Sequence, residues 1–455
     1  MRAKAVILVF DIGKTNKKVF LFDESYDIVY EQSAQMPETV DEDGDACEDL
    51  QLLNTWMLDS VREVLNNGKF GVKAVNISAY GASFVYVDED GQALTALYNY
   101  LKPYPGILAD ILYDKYGGSE NFAVETASPL LGSLNSGLQL FRLKQEKPEF
   151  FSRVKFALHL PQYLSFLLSS HPLSDITSIG CHTSLWNFAR NNYHQWVCAE
   201  ELDSKLPSIE PYDKVVEAEI HGHHIRVGGG LHDSSAALIP YLINFQEPFV
   251  LLSTGTWSIS LNPFNDLPLT PDELAQDCLC YLQYKGRPVK ASRYFAGKQH
   301  EDGVKKIAAQ FQLADDFYKD ISYNPAIVDK LKETTTAHIK SSARESPSPS
   351  THPDPAEAYH RLMFDIVATQ VISTQLILHG SPVKRLFVDG GFGRNHIFMH
   401  LLAQAFPGME VYAASMAQAS ALGAALSIHS SWNSQAVPTN LIQLEYYSGT
   451  VPSMA

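Results

Sequence analysis

Cysteine and basic charge are both in short supply in this chain. Only five cysteines occur in 455 residues: Cys47, Cys181, Cys198, Cys278 and Cys280. Their odd number and scattered placing argue against a disulfide framework and for a reducing cytoplasm. Cys278 and Cys280 stand too close together for the usual zinc spacing. Lys plus Arg totals 35 against 51 Asp plus Glu, a net charge of −16. That balance argues against nucleic acid or a membrane surface held through bulk charge. It leaves small anions such as nucleotides open, because local backbone N–H groups and a metal hold those. No apolar run approaches the roughly 20 residues of a membrane span. The opening "AVILVF" is cut by Asp11 and reads as a strand, not a signal peptide. Also missing are the phosphate loop G-x-x-x-x-G-K-[ST], the protein-kinase motif set, and an early G-x-G-x-x-G with its later acid.

What is present suits a globular protein of two or three domains, with 45% hydrophobic and 19% charged residues. The first segment reads strand, turn, strand: "KAVILVFDIG", "KKVFLFDES", then "YDIVYEQSAQM". A helix follows at "LQLLNTWMLDSVREVLN", with Leu53, Met57, Val61 and Leu65 on one face, and then the strand "VKAVNISAYG". The style repeats from Phe249, where "FVLLSTGTWSISLNPF" is again strand, small polar turn, strand. Gly13 and Gly255, central in the two turns, lie 242 positions apart. A long helix "AYHRLMFDIVATQVISTQLILHG" follows, with Gly380 as its stop. Strand "VKRLFVDGG", helix "NHIFMHLLAQAF", strand "MEVYAA" and helix "SALGAALSIH" complete the second half. Two related halves would meet at a cleft, with the boundary near residues 240–248. "SARESPSPSTHPDPAEA" reads as a Ser/Pro-rich surface excursion.

Asp11 is the odd letter in its strand. A carboxylate at a strand end beside a glycine turn can hold hydrated Mg²⁺. The N–H groups of the turn, with Lys14, Thr15, Asn16 and Lys18, can then face phosphate. Ser253-Thr254-Gly255-Thr256 offers hydroxyls and N–H groups of the same kind, so two turns can clamp a triphosphate. Taken singly, each turn reads more simply as a tight hairpin. "VGGGLHDSSAALIPY" brings three glycines before His232, Asp233 and Ser234, where Asp233 alone reads as a helix N-cap. "LFVDGGFGRNHIF" runs a strand into Gly390 and Gly391 and opens a helix by Asn395, which sets backbone against a nucleotide. His221, His223 and His224 read as solvated or edge histidines in preference to a metal site.

These elements, in this order, resemble the FGGY carbohydrate kinases of the actin/hexokinase-like superfamily. "DIGKTNKK" and "LLSTGTWS" look like that family's two phosphate motifs. "GLHDSSA" matches the segment with its catalytic aspartate, and "DGGFGRN" with "AQASALGAAL" its adenosine motif. The resemblance covers roughly residues 5–430. It implies an α/β fold of two RNase H-like domains with an interdomain cleft, residues 1–243 on the sugar side and 244–455 on the adenosine side. It implies ATP-dependent phosphorylation of a small sugar, with Asp233 as general base and Asp11 holding Mg²⁺. Gly13, Lys14, Thr15, Asn16, Lys18, Gly255 and Thr256 would serve the phosphates, and Gly390, Gly391 and Asn395 the adenosine. Tyr80, Gly81, Phe84, His232 and Ser234 would meet the sugar. "GTWS" and "HDSSA" look most like the L-rhamnulose and L-fuculose kinase branch, with related pentuloses also in range. The sugar-side segment departs from that branch: Tyr80, Ala82 and Ser83 replace Trp, Val and Asp. Lys14 replaces a small residue, and Gly297 and Gln299 are candidates on the nucleotide side. The implied partner is a sugar, without nucleic acid or membrane, in a cytoplasmic protein whose candidate assembly is a homodimer. The alternatives are a catalytically degenerate sugar- or nucleotide-binding regulator, and a chaperone-like ATPase on the same fold.

Overall fold

A computed structural model describes residues 3–340, 354–416 and 418–449. Most of the Ser/Pro-rich excursion lies outside the described residues. Two mixed sheets carry the chain. In the first, the order is Val215–Ile220, His223–Gly228, Phe70–Ala79, Lys4–Ile12, Lys17–Asp23, Ile28–Ala34, with Leu231–His232 beside the end of Phe70–Ala79. In the second it is Cys278–Leu282, Pro288–Tyr294, Ser258–Asn262, Phe249–Thr254, Arg385–Gly390, Glu410–Ser415, Gln443–Tyr447. Each sheet repeats one plan. Three antiparallel strands run outward from Lys4–Ile12 or Phe249–Thr254, consecutive in the first sheet, while in the second Pro288–Tyr294 takes the third place and Cys278–Leu282 the outer one. A parallel strand pairs with the other side of that first strand. This is the duplicated α/β architecture that the sequence suggests.

The strand Lys4–Ile12 is apolar on both sides because both of its faces are covered. Val6, Leu8 and Phe10 pack toward the helix Leu50–Asn66, whose Leu53, Met57, Val61 and Leu65 are buried. Ile7 and Val9 pack toward two other helices, Asp233–Asn244 and Ala419–Ser427. The helix Asp233–Asn244 lies between the sheets. Its Ala236 and Ile239 join the core of the first sheet, and its Leu238 and Tyr241 that of the second. Ala419–Ser427 follows the second sheet in sequence but packs on the first. Asn76, buried in the strand Phe70–Ala79, donates to Ala424 O at 2.8 Å and to Ser427 Oγ at 3.1 Å. A segment not foreseen in the sequence forms a third apolar cluster around the hairpin of Phe84–Val87 and Phe156–His159.

The helix Pro355–Leu378 is long and apolar enough to cross a membrane by length and composition. It packs instead as a core helix of the second sheet, with Tyr359, Met363, Ile366 and Ile377 fully buried. Its Thr374 bonds Ser260 at 2.9 Å and its Ser373 carbonyl accepts from Ser292 at 2.7 Å.

The two interdomain helices touch backbone to backbone. A Cβ on Gly423 would stand 1.8 Å from Ala236 O. Gly423→Ala must part the helices, and overpacking of this kind costs about 1–3 kcal/mol. A lower urea midpoint and lower melting temperature are expected; an unchanged midpoint would mean that the contact is loose.

Candidate active site

The strand Lys4–Ile12 ends in a tight turn, with Gly13 N–H donating to Asn16 O at 2.9 Å. Asp11 stands one residue before the strand end, opposite Ser78 of the neighbouring strand. Its Oδ1 accepts from Ser420 Oγ at 2.9 Å. Burial first, and then the charge of Asp233, raise its carboxyl to about 6. The turn is organised by Lys17, a residue whose place among polar letters gave no sign of burial. The Lys17 ammonium is buried and donates to Gly13 O at 3.1 Å, Lys14 O at 2.9 Å and Glu48 Oε1 at 3.0 Å. Lys14 sits 3.1 Å from Glu38 and 3.5 Å from Glu48, and Lys18 3.3 Å from Gln418 and 3.8 Å from Glu31. Both phosphate candidates therefore hold carboxylate partners in this state. Thr15 is exposed, and Asn16 accepts from Gln35 at 3.0 Å.

The second turn is stitched to the late glycines. Thr254 Oγ1 donates to Asp389 O at 2.6 Å and accepts from Phe392 N–H at 3.0 Å, and Gly391 N–H donates to Thr254 O at 3.1 Å. Gly390 has φ +91, and a Cβ there would stand 1.9 Å from Thr254 O, so only glycine fits. A cavity of about 490 Å³ opens between these loops, lined by Gly255, Gly297, His300, Tyr318, Gly391 and Asn395 among others. Asn395 caps the helix His396–Ala405 by accepting from Phe398 N–H at 3.0 Å, and donates to Tyr359 OH at 2.7 Å. Its amide is committed, so it offers the cavity a wall more than a free hydrogen bond. Gln299 does not line this cavity. It accepts from Tyr294 OH and lines a neighbouring cavity with Phe295 and Lys298.

Asp233 is not the N-cap but the first residue of its helix; His232 caps it. Burial raises the Asp233 carboxyl to about 6, offset in part by bonds from Ser234 N–H at 2.5 Å and Ser234 Oγ at 3.2 Å. Ser234 thus turns toward the carboxylate. His232 is locked on every side. Its N–H donates to Thr177 Oγ1 at 2.9 Å, Nδ1 lies 3.3 Å from Ser235 Oγ, and Nε2 lies 3.0 Å from Cys181 Sγ and 3.3 Å from Asp233 Oδ1. Gly81 leaves room for this pair, since a Cβ would stand 2.8 Å from Cys181 Sγ and 3.0 Å from His232 Cδ2. What requires glycine here is the approach of protein side chains.

Three residues of the sugar-side segment are buried against protein. Phe84 is fully buried, its ring 4.0 Å from that of His159, because its strand pairs inside the third cluster. Ser83 is buried too and donates to Tyr98 O at 3.2 Å. Tyr80 is buried edge-on to Tyr100, centroids 5.8 Å apart. Near Asp233 stand residues that no sequence motif marked. Tyr281 faces His232 at 5.5 Å, and Tyr100 has its hydroxyl held up by burial and by the Asp233 charge. Arg293 is paired with Asp277 at 2.6 Å. No spacing rule in the sequence joins these positions; only the fold brings Tyr100, packed on the core of the first sheet, to the Tyr281 and Arg293 strands of the second.

Residues 6–239 match the family model described as "FGGY family of carbohydrate kinases, N-terminal domain", and residues 246–436 that described as "Carbohydrate kinase FGGY, C-terminal domain". The chain is similar to a rhamnulokinase of Oceanobacillus iheyensis, 21% identical over 224 residues, 47% of this chain and 46% of that protein. It is also similar to one of Halalkalibacterium halodurans, 22% identical over 263 residues, 54% and 52% of the two chains. The chain thus spans about half the length of these relatives. A crystal structure of a carbohydrate kinase from Novosphingobium aromaticivorans superposes with TM-score 0.78 at 23% identity, covering 98% of this chain and 94% of that one. That likeness speaks for the fold.

Two outcomes follow from the geometry. Ser83→Asp buries a charge without a partner; it should lower the melting temperature and leave any ranking among sugars unchanged, while a changed ranking at constant melting would return Ser83 to the pocket. Asp233 binds its proton more tightly folded than unfolded, from 3.8 up to about 6. Its contribution to stability is therefore full below the unfolded value and lost as pH rises through about 6. Asp233→Asn should melt above the parent at pH 8, with the gap closing toward pH 4; a gap independent of pH contradicts the shift.

Proposed function

The chain belongs to the FGGY family of carbohydrate kinases, and from that premise we propose that it transfers the γ-phosphoryl group of ATP to a hydroxyl of a small ketose. L-Rhamnulose, L-fuculose and related pentuloses are the candidate sugars. The observation that carries the reading is the meeting of Asp233, at the start of the interdomain helix, with Asp11, at the end of the first strand, within range of each other's charge. In this reading residues 1–243 supply the sugar side and 244–455 the adenosine side.

Phosphoryl transfer asks for positioning and charge neutralisation more than covalent work. Asp233 accepts the proton of the sugar hydroxyl as it attacks. With its carboxyl near 6, it is ionised at neutral pH yet basic enough to take that proton. Ser234 N–H and Oγ hold the carboxylate in place, with the neutral His232 ring packed 3.3 Å from it. Thr15, Lys18, Gly255 and Thr256 donate to the phosphates, and the cavity beside Gly391 receives the adenosine. A hard-oxygen site suits Mg²⁺. Asp11 fits it, having one carboxylate oxygen steadied by Ser420 and a charge that its surroundings leave under-compensated. When bound, that ion would neutralise phosphate charge. Closing of the halves would exclude water that competes with the sugar. The reading extends to a cytoplasmic enzyme whose partner is the sugar, with a homodimer as its candidate assembly.

A coupled assay of ADP release over L-rhamnulose, L-fuculose, L-ribulose, xylulose and glycerol tests the proposal. Sugar-dependent release is expected, falling as pH drops through about 6, where Asp233 takes up its proton. Asp233→Asn should lower turnover about 10²–10⁴-fold. Turnover near the parental rate would remove Asp233 from the role, and release without sugar would favour an ATPase.

A further inference from the structure

With Ser83 and Phe84 turned inward, the sugar pocket needs a hydrogen-bond acceptor from elsewhere. We propose that His182 supplies it, its Nε2 accepting a hydroxyl of the sugar beside Asp233. The inference rests on the sugar-kinase reading above and names a residue of the same site.

Four observations support it. First, place: His182 follows Cys181, whose Sγ lies 3.0 Å from His232 Nε2, itself 3.3 Å from the Asp233 carboxylate. The His182 ring lies 6.0 Å from that of Tyr281, which belongs to the second sheet, so His182 stands on the seam between the halves. Second, tautomer: Nδ1 lies 3.2 Å from Leu134 O. A carbonyl oxygen can only accept, so Nδ1 carries the hydrogen and Nε2 keeps its lone pair. Nε2 bonds no described residue and is not an enclosed atom.

Third, backbone: His182 has φ +39 and Ser184 φ +63, left-handed backbone that is uncommon for residues other than glycine, though Asn, Asp and His adopt it more readily than the rest. The loop is pinned there by Asn135 Nδ2 on His182 O at 2.7 Å and Gly137 N–H on Thr183 O at 2.9 Å. Backbone held in such a state by its surroundings gathers at ligand sites. Fourth, charge: burial, then Arg293 and His232, push the His182 pKa down to about 3, so it stays neutral. A neutral acceptor takes a hydroxyl and gives no attraction to a cation. The ligand class that suits such an acceptor is an uncharged polyol or sugar whose hydroxyl donates to the imidazole, which fits the small ketose of the reading above.

The test uses two variants of the full chain. Asn reproduces the Nδ1 side of histidine and tolerates left-handed backbone, so His182→Asn keeps the bond to Leu134 and loses Nε2. Gln reaches the Nε2 position with its amide oxygen. Melting temperature, ATP KM, and sugar KM and Kd are measured with L-rhamnulose, L-fuculose, L-ribulose and xylulose. His182→Asn should raise sugar KM and Kd about tenfold, the loss of one hydrogen bond, with ATP KM and melting unchanged. His182→Gln should recover most of that loss. Unchanged sugar constants in His182→Asn, with turnover intact, overturn the inference and leave the kinase reading standing. So does a loss in His182→Gln as large as in His182→Asn. If sugar binds by calorimetry but provokes no ADP release in the parent, the kinase reading falls, and a tenfold weaker Kd in His182→Asn still supports the contact.

Discussion

Two like charges kept partly out of water are the constraint on which the rest of this structure turns. Asp11 and Asp233 are each raised to about 6, chiefly by burial, and Asp11 further by the charge of Asp233. Nothing in stability favours such a pair; it persists because the burial of many apolar side chains around it fixes its supports. Asp11 ends a strand with five consecutive buried apolar residues, Val6 to Phe10. Asp233 opens a helix buried against both sheets. The supports are also coupled. Ser420, on the helix that touches Ala236 at Gly423, is the residue that bonds Asp11. Any turning of one half against the other must therefore work through the same two helices that carry or hold the acids.

The lysines of the first turn divide by magnitude. Lys17 and Glu48 are both buried, and removing one partner of such a pair typically costs about 3–5 kcal/mol. Lys17 is thus a permanent part of the turn. Lys14 with Glu38, and Lys18 with Glu31, are partly exposed pairs, the kind worth about 0–1 kcal/mol. Such pairs exchange partners cheaply. A phosphate arriving at the turn can take Lys14 or Lys18 from its carboxylate while Lys17 keeps the turn in shape.

What could be read from the sequence follows the reach of local rules. The hairpins, the glycine turns and the helix Leu50–Asn66 were legible because apolar period and turn chemistry act within a few residues. The duplicated sheet order followed from repetition of those units. Lys17 was not legible: a lysine beside other polar letters reads as solvated, and only the distant Glu48 makes its burial possible. Phe84 and Tyr80 were turned toward the sugar only by the family resemblance, which does not show what packs on them. Their neighbours His159 and Tyr100 are brought to them by a segment with no repeat or motif to announce its course.

That same segment changes where, under the proposed reading, sugar choice would reside. With Ser83 bonded to Tyr98 and Phe84 stacked on His159, the stretch after the strand Phe70–Ala79 forms the backing of the pocket. The groups left near Asp233 come from three separate places: Tyr100, packed on the core of the first sheet, the Cys181–His182 loop, and Tyr281 and Arg293 of the second sheet. The His182 and Tyr281 rings face each other across the seam between the halves. Under the proposed kinase reading, a sugar held there would touch both halves at once, and its binding energy would be available to draw them together. A sugar that fits only one half would bind without closing the cleft. Discrimination would then appear in turnover as well as in affinity, as expected where closure assembles the catalytic site.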